Sequence, residues 1–399
     1  MEKYAKILFI LLTTYALQAN AQSYSTVKER LRASVVGELA PELGNTSALL
    51  YWNGGLWTSN DHGSLALHRL DTLTGETLQT VGCDTSFSDM EEVAQDSDYF
   101  YFGDFGNNHE QLRNDLRILR LRKSDLTQGF CQFDTIAFTY SGYDPSGEGA
   151  GRLPSTDYDC EAMVAVGDSL YLFTKQWTSQ QTTCFALPKE PGAYTALPRF
   201  SIDVEGMVTG ACHFLTSTSD GTKQVLALCG YSLLLSPFVY LLYDFEGTYF
   251  NNGQQLSLPL NNPIGTQTEA IASADGLHYW LTNESFDHFG ISQPAQLLSL
   301  DLSNYLFGYL HPDSTQTQGV APVGLDDGGI TVHPNPTDGV VTIDYATVEK
   351  VEVLDSTGRL LLQSDDSRTL DLRELGAGTY LLRITTRQGS VISRKVVKQ

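Results

Sequence analysis

The chain reads as all-β: a β-propeller, five blades favoured and six possible, followed by a small C-terminal β-sandwich. Three observations predict this. A short motif recurs five times between residues 30 and 310, each copy followed by further strand-like runs. In four of the five copies an aromatic falls ten residues after the central position: Trp57, Tyr101, Tyr171 and Tyr279. The last seventy or so residues then change to closely spaced apolar runs separated by turn signals.

The N-terminal 21 residues precede the fold. Lys3 and Lys6 supply a positive start, Ile7 to Leu17 a short apolar run, and Ala19-Asn20-Ala21 an A-x-A site. These predict a secretory signal peptide (1–21) cleaved after Ala21. The apolar run is too short to span a bilayer, and no later segment is apolar enough, so an integral membrane protein is not expected.

Residues 22–310 carry the repeats. The five copies are Asn45-Thr46-Ser47-Ala48-Leu49, Asp89-Met90-Glu91-Glu92-Val93, Asp159-Cys160-Glu161-Ala162-Met163, Asp203-Val204-Glu205-Gly206-Met207 and Gln267-Thr268-Glu269-Ala270-Ile271. Second strands follow at Leu56 to Thr58, Tyr99 to Phe102, Leu170 to Phe173, Val225 to Gly230 and Leu277 to Leu281. Third strands are expected at Ala66 to Leu70, Leu116 to Leu121, Thr182 to Leu187, Val239 to Asp244 and Gln296 to Leu300. Fourth strands are visible as Thr77 to Val81, Ile136 to Tyr140 and Gln255 to Leu258. The fifth unit lacks one, and Arg32 to Gly37 is placed to supply it and close the ring.

In a propeller the first strand of each blade lines the central channel, and side chains two apart share a face. The predicted column is Ser47, Glu91, Glu161, Glu205 and Glu269, with Asp89, Asp159 and Asp203 in the layer before it. Seven carboxylates in one tunnel repel: at about 5 Å and an effective dielectric of about 20, each pair costs roughly 3 kcal/mol. They must be protonated, hydrated or held by a cation. All-oxygen donors without His or Cys favour Ca²⁺ over zinc or copper. The loops after the second strands share the face where the first strands begin. Asn60, Asp61, His62, Asp104, Asn107, Lys175, Trp177, Asn283 and Glu284 form the expected ligand face for a glycan, peptide or small molecule.

All six cysteines follow the cleavage site. Cys212 and Cys229 flank a hairpin at Ser219-Asp220-Gly221 and make the best single disulfide pair, with buried free thiols the other reading. Lys and Arg total 25 against 47 Asp and Glu, a net charge of −22, which lacks the basic footprint of a nucleic-acid binder. There is no G-x-S-x-G elbow, H-E-x-x-H helix or Walker A loop.

After a linker (311–327), residues 328–399 show β runs at Ile330 to His333, Val340 to Tyr345, Val351 to Leu354, Leu360 to Gln363, Tyr380 to Thr385 and Val391 to Val397. So many strands in so short a stretch predict a small sandwich, and it lacks cysteines and any histidine cluster. His333-Pro334-Asn335-Pro336, Asp338-Gly339, Val351-Glu352-Val353 with Gly358, Leu370-Asp371-Leu372, Gly378-Thr379-Tyr380 and the basic tail Arg394 to Lys398 follow one familiar order. This segment resembles the type IX secretion C-terminal sorting domains. The resemblance implies engagement of the type IX machinery, removal of the domain, and a product that is secreted or attached to the outer cell surface.

The one-Ser, four-Glu column resembles the calcium-lined channel of five-bladed apyrases. In that family the first blade's loop carries paired acids followed by Arg, where this chain has Asn60-Asp61-His62-Gly63. Two functions stay open: a non-catalytic binding module with a channel cation, or a Ca²⁺-dependent hydrolase of phosphoesters or lactones.

Overall fold

The computed structural model describes residues 31–108, 112–144, 156–288, 290–312, 331–344, 348–354, 360–365, 368–386 and 391–399. The expected signal peptide with Ala21, and most of the linker, lie outside the described residues. The chain divides into two units, Met1–Ser314 and Thr315–Gln399.

In the first unit, Gly, Asn and Asp turns cut the chain into short strands. β1 (Ser34–Glu38) comes first in sequence but completes the last sheet. β2 (Thr46–Trp52), β3 (Gly55–Asn60), β4 (Gly63–Leu70) and β5 (Thr77–Phe87) form one four-stranded meander. The pattern recurs in β6 (Met90–Gln95), β7 (Tyr99–Asp104), β8 (Arg117–Arg122) and β9 (Phe133–Tyr140). It recurs again in β10 (Asp159–Val166), β11 (Ser169–Lys175), β12 (Gln181–Pro188) and β13 (Gly192–Asp203). A fourth sheet holds β14 (Met207–Thr218), β15 (Gly221–Tyr231), β16 (Pro237–Tyr243) and β17 (Gln254–Pro259).

The fifth sheet contains β18 (Thr268–Ser273) and β19 (His278–Asn283), then a side hairpin of β20 (Phe286–His288) and β21 (Ile291–Gln293), then β22 (Gln296–Asp301). β1 takes its outer place, antiparallel to β22 with Ser34 opposite Ser299. Without β1 the edge of β22 would present unpaired backbone groups. The five innermost strands, β2, β6, β10, β14 and β18, each lie against the next, and β18 returns against β2. That ring is the propeller. The second and third sheets also meet at their outer edges, where β9 and β13 run parallel.

Both faces of each sheet pack on a neighbouring sheet, so the strands are apolar in runs. β11 shows this, with Leu170, Tyr171, Leu172 and Phe173 all buried. Tyr101, Phe105, Ile118, Met163 and Phe185 fill the space between the second and third sheets. Ile271, Leu281, Val225 and Leu241 fill that between the fourth and fifth. Each such side chain contributes about 1.5–3 kcal/mol by leaving water.

Two expectations need correction. Asp203 to Met207 is no inner strand: it is the end of β13 and the turn into β14. The Asp203 carboxylate accepts the Glu205 N–H at 3.1 Å and Glu205 takes φ 53°, so the acid-x-acid pattern here builds a turn. The Cys212–Cys229 bridge is absent too. Cys212 sits opposite Ala227 and Cys229 opposite Gly210, a diagonal spacing too long for the about 3.8 Å between bridged Cβ atoms. The disulfide instead joins Cys83 on β5 to Cys131 just before β9, while Cys160, Cys184, Cys212 and Cys229 are free.

The second unit is a sandwich of two sheets. One contains β23 (Thr331–His333), β24 (Val340–Asp344) and, after β25 (Val348–Leu354) and β26 (Leu360–Asp365), the short β27 (Thr369–Asp371). The other orders β26, β25, β28 (Gly378–Thr386) and β29 (Val391–Lys398). Val341, Ile343, Val351, Val353, Leu370, Leu382, Ile384 and Val396 form its own core.

Candidate functional site

All five inner strands carry a β-bulge at the same place. The register skips between Thr46 and Ala48, Met90 and Glu92, Cys160 and Ala162, Val208 and Gly210, and Thr268 and Ala270. The skipped residues are therefore Ser47, Glu91, Glu161, Thr209 and Glu269. A bulge re-aims the side chain of its extra residue, and repetition around the ring turns that local kink into a column. Four members match the predicted column. The fourth sheet's member is Thr209, four residues beyond Glu205; Asp203 and Glu205 are exposed and stand away from the channel.

A second ring stands where the second strands end. Asp61 N–H donates to the Asn45 carbonyl at 3.1 Å, Phe105 to Asp89 at 3.1 Å and Glu284 to Gln267 at 3.3 Å. Lys175 and Tyr231 take the matching places opposite Asp159 and Met207. The two rings enclose an acidic funnel. Glu91 feels Glu161, Asp89 and Asp159, while Glu269 feels Glu284, Glu161 and Asp61.

Lys175 is the funnel's internal cation. Its Nζ donates to both Glu161 oxygens, at 2.8 and 2.7 Å, and lies 4.7 Å from the Trp177 ring centre and 5.2 Å from that of Tyr231. Burial opposes its charge, yet Glu161 and the surrounding acids hold the ammonium pKa well above its ordinary value. Ser47 donates to the Met90 carbonyl at 2.8 Å and Thr209 to the Thr268 carbonyl at 2.5 Å, so both hydroxyls tie neighbouring inner strands together. Asp159 accepts the Trp177 indole N–H at 2.8 Å and the Asn107 N–H at 2.7 Å.

Glu91 and Glu269 differ from these. They are only 8% and 7% exposed, and neither accepts a hydrogen bond or makes an ion pair among the described residues. Burial first, and then the neighbouring carboxylates, push the Glu91 carboxyl well above its ordinary range; burial does the same to Glu269, where the Lys175 ammonium opposes the rise and Glu284, Glu161 and Asp61 add to it. Gly106 presses directly on the first of them: a Cβ there would fall 2.2 Å from Asp89 Oδ2 and 2.5 Å from Glu91 Oε1.

Several residues of the expected ligand face instead hold loops. Asp104 is fully buried, paired with Arg113 at 3.0 Å and Arg117 at 2.9 Å, and accepts the N–H groups of Ser88 and Asp89. Asn107 donates to Tyr143 Oη and the Tyr158 carbonyl. Asn283 bridges the carbonyls of Glu284 and Pro294, and Asn60 reaches the Glu42 carbonyl. His62 is exposed beside Asp61. Asp61, Lys175, Trp177 and Glu284 remain around the funnel.

Ca²⁺ asks for six to eight converging oxygens. Among the described residues no three His, Cys, Asp or Glu side chains are grouped to hold a metal ion, and one acid of the column already carries an ammonium. This donor set fits an internal ion pair flanked by open carboxylates better than a resident metal.

Below the column the channel changes character. The residue after each bulge is Ala48, Ala162, Gly210 or Ala270 in four strands, because this position faces the next inner strand: a Cβ on Gly210 would lie 2.7 Å from the Glu269 carbonyl oxygen. The fifth is Glu92. Its buried carboxylate accepts the N–H groups of Val93 at 2.9 Å, Ala211 at 3.1 Å and Met163, joining three inner strands. Beneath it an axial cavity of about 100 Å³ is lined by residues of all five inner strands, with Gln95, Cys212 and His213 among the lining. The repeat alignment held the signal for Glu92, an acid where the other copies have Ala or Gly.

Fold and tail together define an exported β-propeller protein. Residues 331–399 match the family described as secretion system C-terminal sorting domain, so the second unit is a type IX sorting domain, and the chain is secreted or attached at the cell surface. No curated relative matches the chain. Similar solved structures include the PQQ-bound aldose sugar dehydrogenase from Streptomyces coelicolor, at 14% identity over 69% of this chain and 99% of that one, TM-score 0.37. Drosophila semaphorin 2a is 10% identical over 90% of this chain and 77% of that one, TM-score 0.33. The WD40 propeller domain of Doa1 is 10% identical over 92% and 87%, TM-score 0.29. No helix among the described residues is long and apolar enough to cross a membrane.

Proposed function

We propose that the mature chain is an exported binding module whose acidic funnel captures a cationic group, with residues 1–21 directing the first membrane passage. The observation that carries this reading is the pair Glu91 and Glu269, buried carboxylates with no partner among the described residues. An unpaired buried carboxylate is costly, and a ligand bringing positive donors removes that cost. Glu161, a third member of the same ring, is already satisfied by Lys175. Ca²⁺ is the alternative occupant.

Isothermal titration of the mature chain, residues 22–399, with calcium chloride and with arginine amide tests the reading. At least one cation should bind at pH 7.5, and Glu91→Gln with Glu269→Gln should weaken it about tenfold or more. Affinities unaffected by those substitutions would remove the funnel as the site.

A further inference from the structure

We infer that the funnel's ligand is a basic side chain, arginine in preference to lysine, carried on a peptide segment with apolar neighbours; this rests on the funnel reading above. The acceptors come first. Glu91 and Glu269 belong to different inner strands, β6 and β18, with Glu161 and its ammonium as a third, already satisfied group. A guanidinium presents five N–H donors in a rigid plane and can serve two carboxylates at once, whereas an ammonium is a compact point charge.

The rim supplies the second half of the argument. Leu233 and Leu234 are 43% and 45% exposed and Ile264 is 59% exposed. Leu233 and Leu234 lie two and three residues beyond Tyr231 of the upper ring, and Ile264 lies in the loop leading to Gln267 and Glu269. Gly265 N–H donates to the Leu235 carbonyl at 3.2 Å, joining the two loops. The leucine turn is fixed by Leu235 N–H to the Ser232 carbonyl at 2.8 Å and Ser232 N–H to the Ser236 carbonyl at 2.9 Å, with Leu235 at φ 56°. Apolar side chains held outward on a short, bonded turn beside an acidic opening match a chain that alternates basic and apolar residues. The surplus of negative charge steers such a segment toward the opening.

Calorimetric titration of the mature chain with four probes tests this: acetyl-Leu-Arg-Leu-amide, acetyl-Gly-Arg-Gly-amide, the citrulline analogue of the first, and calcium chloride. The leucine peptide should bind about tenfold tighter than the glycine peptide, and citrulline should weaken it at least about tenfold. Leu234→Ser with Ile264→Ser, both in exposed loops, should bring the leucine peptide down to the glycine peptide's affinity and leave the latter unchanged. Equal affinity for the two arginine peptides overturns the apolar rim while the funnel stands. Calcium binding that Glu91→Gln weakens, with no peptide binding, overturns the inference and keeps the funnel as a cation site. Silence from all four probes overturns both.

Discussion

Glu91 shows how a single position ties stability to pH. Burial and the acids around it raise its carboxyl in the folded chain, so the fold binds a proton that the unfolded chain has released. Its favourable contribution is complete below the unfolded carboxyl range near pH 4.5 and fades as pH climbs through the raised folded value. Glu91→Gln carries that neutral form permanently. It should raise the thermal midpoint at pH 8 by about 2 °C or more and leave it unchanged below about pH 4, as read by circular dichroism. A midpoint gain equal at both pH values would mean that ionisation of the Glu91 carboxyl is not its source. Binding has the opposite sign, because a cationic ligand needs the charged carboxylates: affinity should grow as pH rises over the same range. Ser47, Glu91, Glu161 and Glu269 were legible in the sequence because the polar-then-apolar repeat fixes their phase. Thr209 was not, since Asp203 and Glu205 copy the acidic spacing while serving a turn. Lys175 stood out in the sequence as a polar residue at the end of a second strand, but its pairing with Glu161 depends on how β11 lies against β10.

At the level of elements, the bulges and the closures matter most. Strand order, the closing role of β1 and most strand positions followed from the spacing of apolar runs and turns. β13 escaped because Gly192 to Asp203 mixes Pro198, Arg199 and exposed positions without a clean alternation. Its edge contact with β9 links two sheets, a long-range arrangement that local pattern does not encode. Cysteine pairing escaped for a similar reason: a hairpin brings two cysteines near each other, but register decides whether their Cβ atoms meet. The Cys83–Cys131 bridge closes a sequence span of 48 residues between the first and second sheets. Restricting a loop of that length in the unfolded chain contributes about 4 kcal/mol in the chain-entropy account. Cys83→Ser with Cys131→Ser should therefore lower the urea unfolding free energy by about 2–4 kcal/mol. Peptide mapping after non-reducing alkylation should find Cys160, Cys184, Cys212 and Cys229 alkylated once the chain is denatured. A Cys212–Cys229 cross-link in that map, or an unchanged unfolding curve, would count against the pairing.

For the whole molecule, the chain forms two units with separate cores, and the second of them is the sorting domain. The sandwich buries its own apolar set around Val351, Leu382 and Ile384. The tail's role was readable from sequence because short motifs at turns and strand starts carry it, whereas the funnel gathers side chains from five distant segments. If the sandwich alone is the address, removing residues 328–399 leaves a propeller whose strands and ring closure are untouched. The truncated chain, expressed in a host with a type IX system, should be processed after Ala21 and then accumulate in the periplasm in folded, protease-resistant form. A reporter carrying residues 1–21 and 328–399 at its two ends should instead reach the medium or the cell surface. Fractionation with immunodetection reads both arms. Appearance of the truncated propeller outside the cell would place the export signal in the first unit, and retention of the reporter would show that the tail needs the propeller to be read.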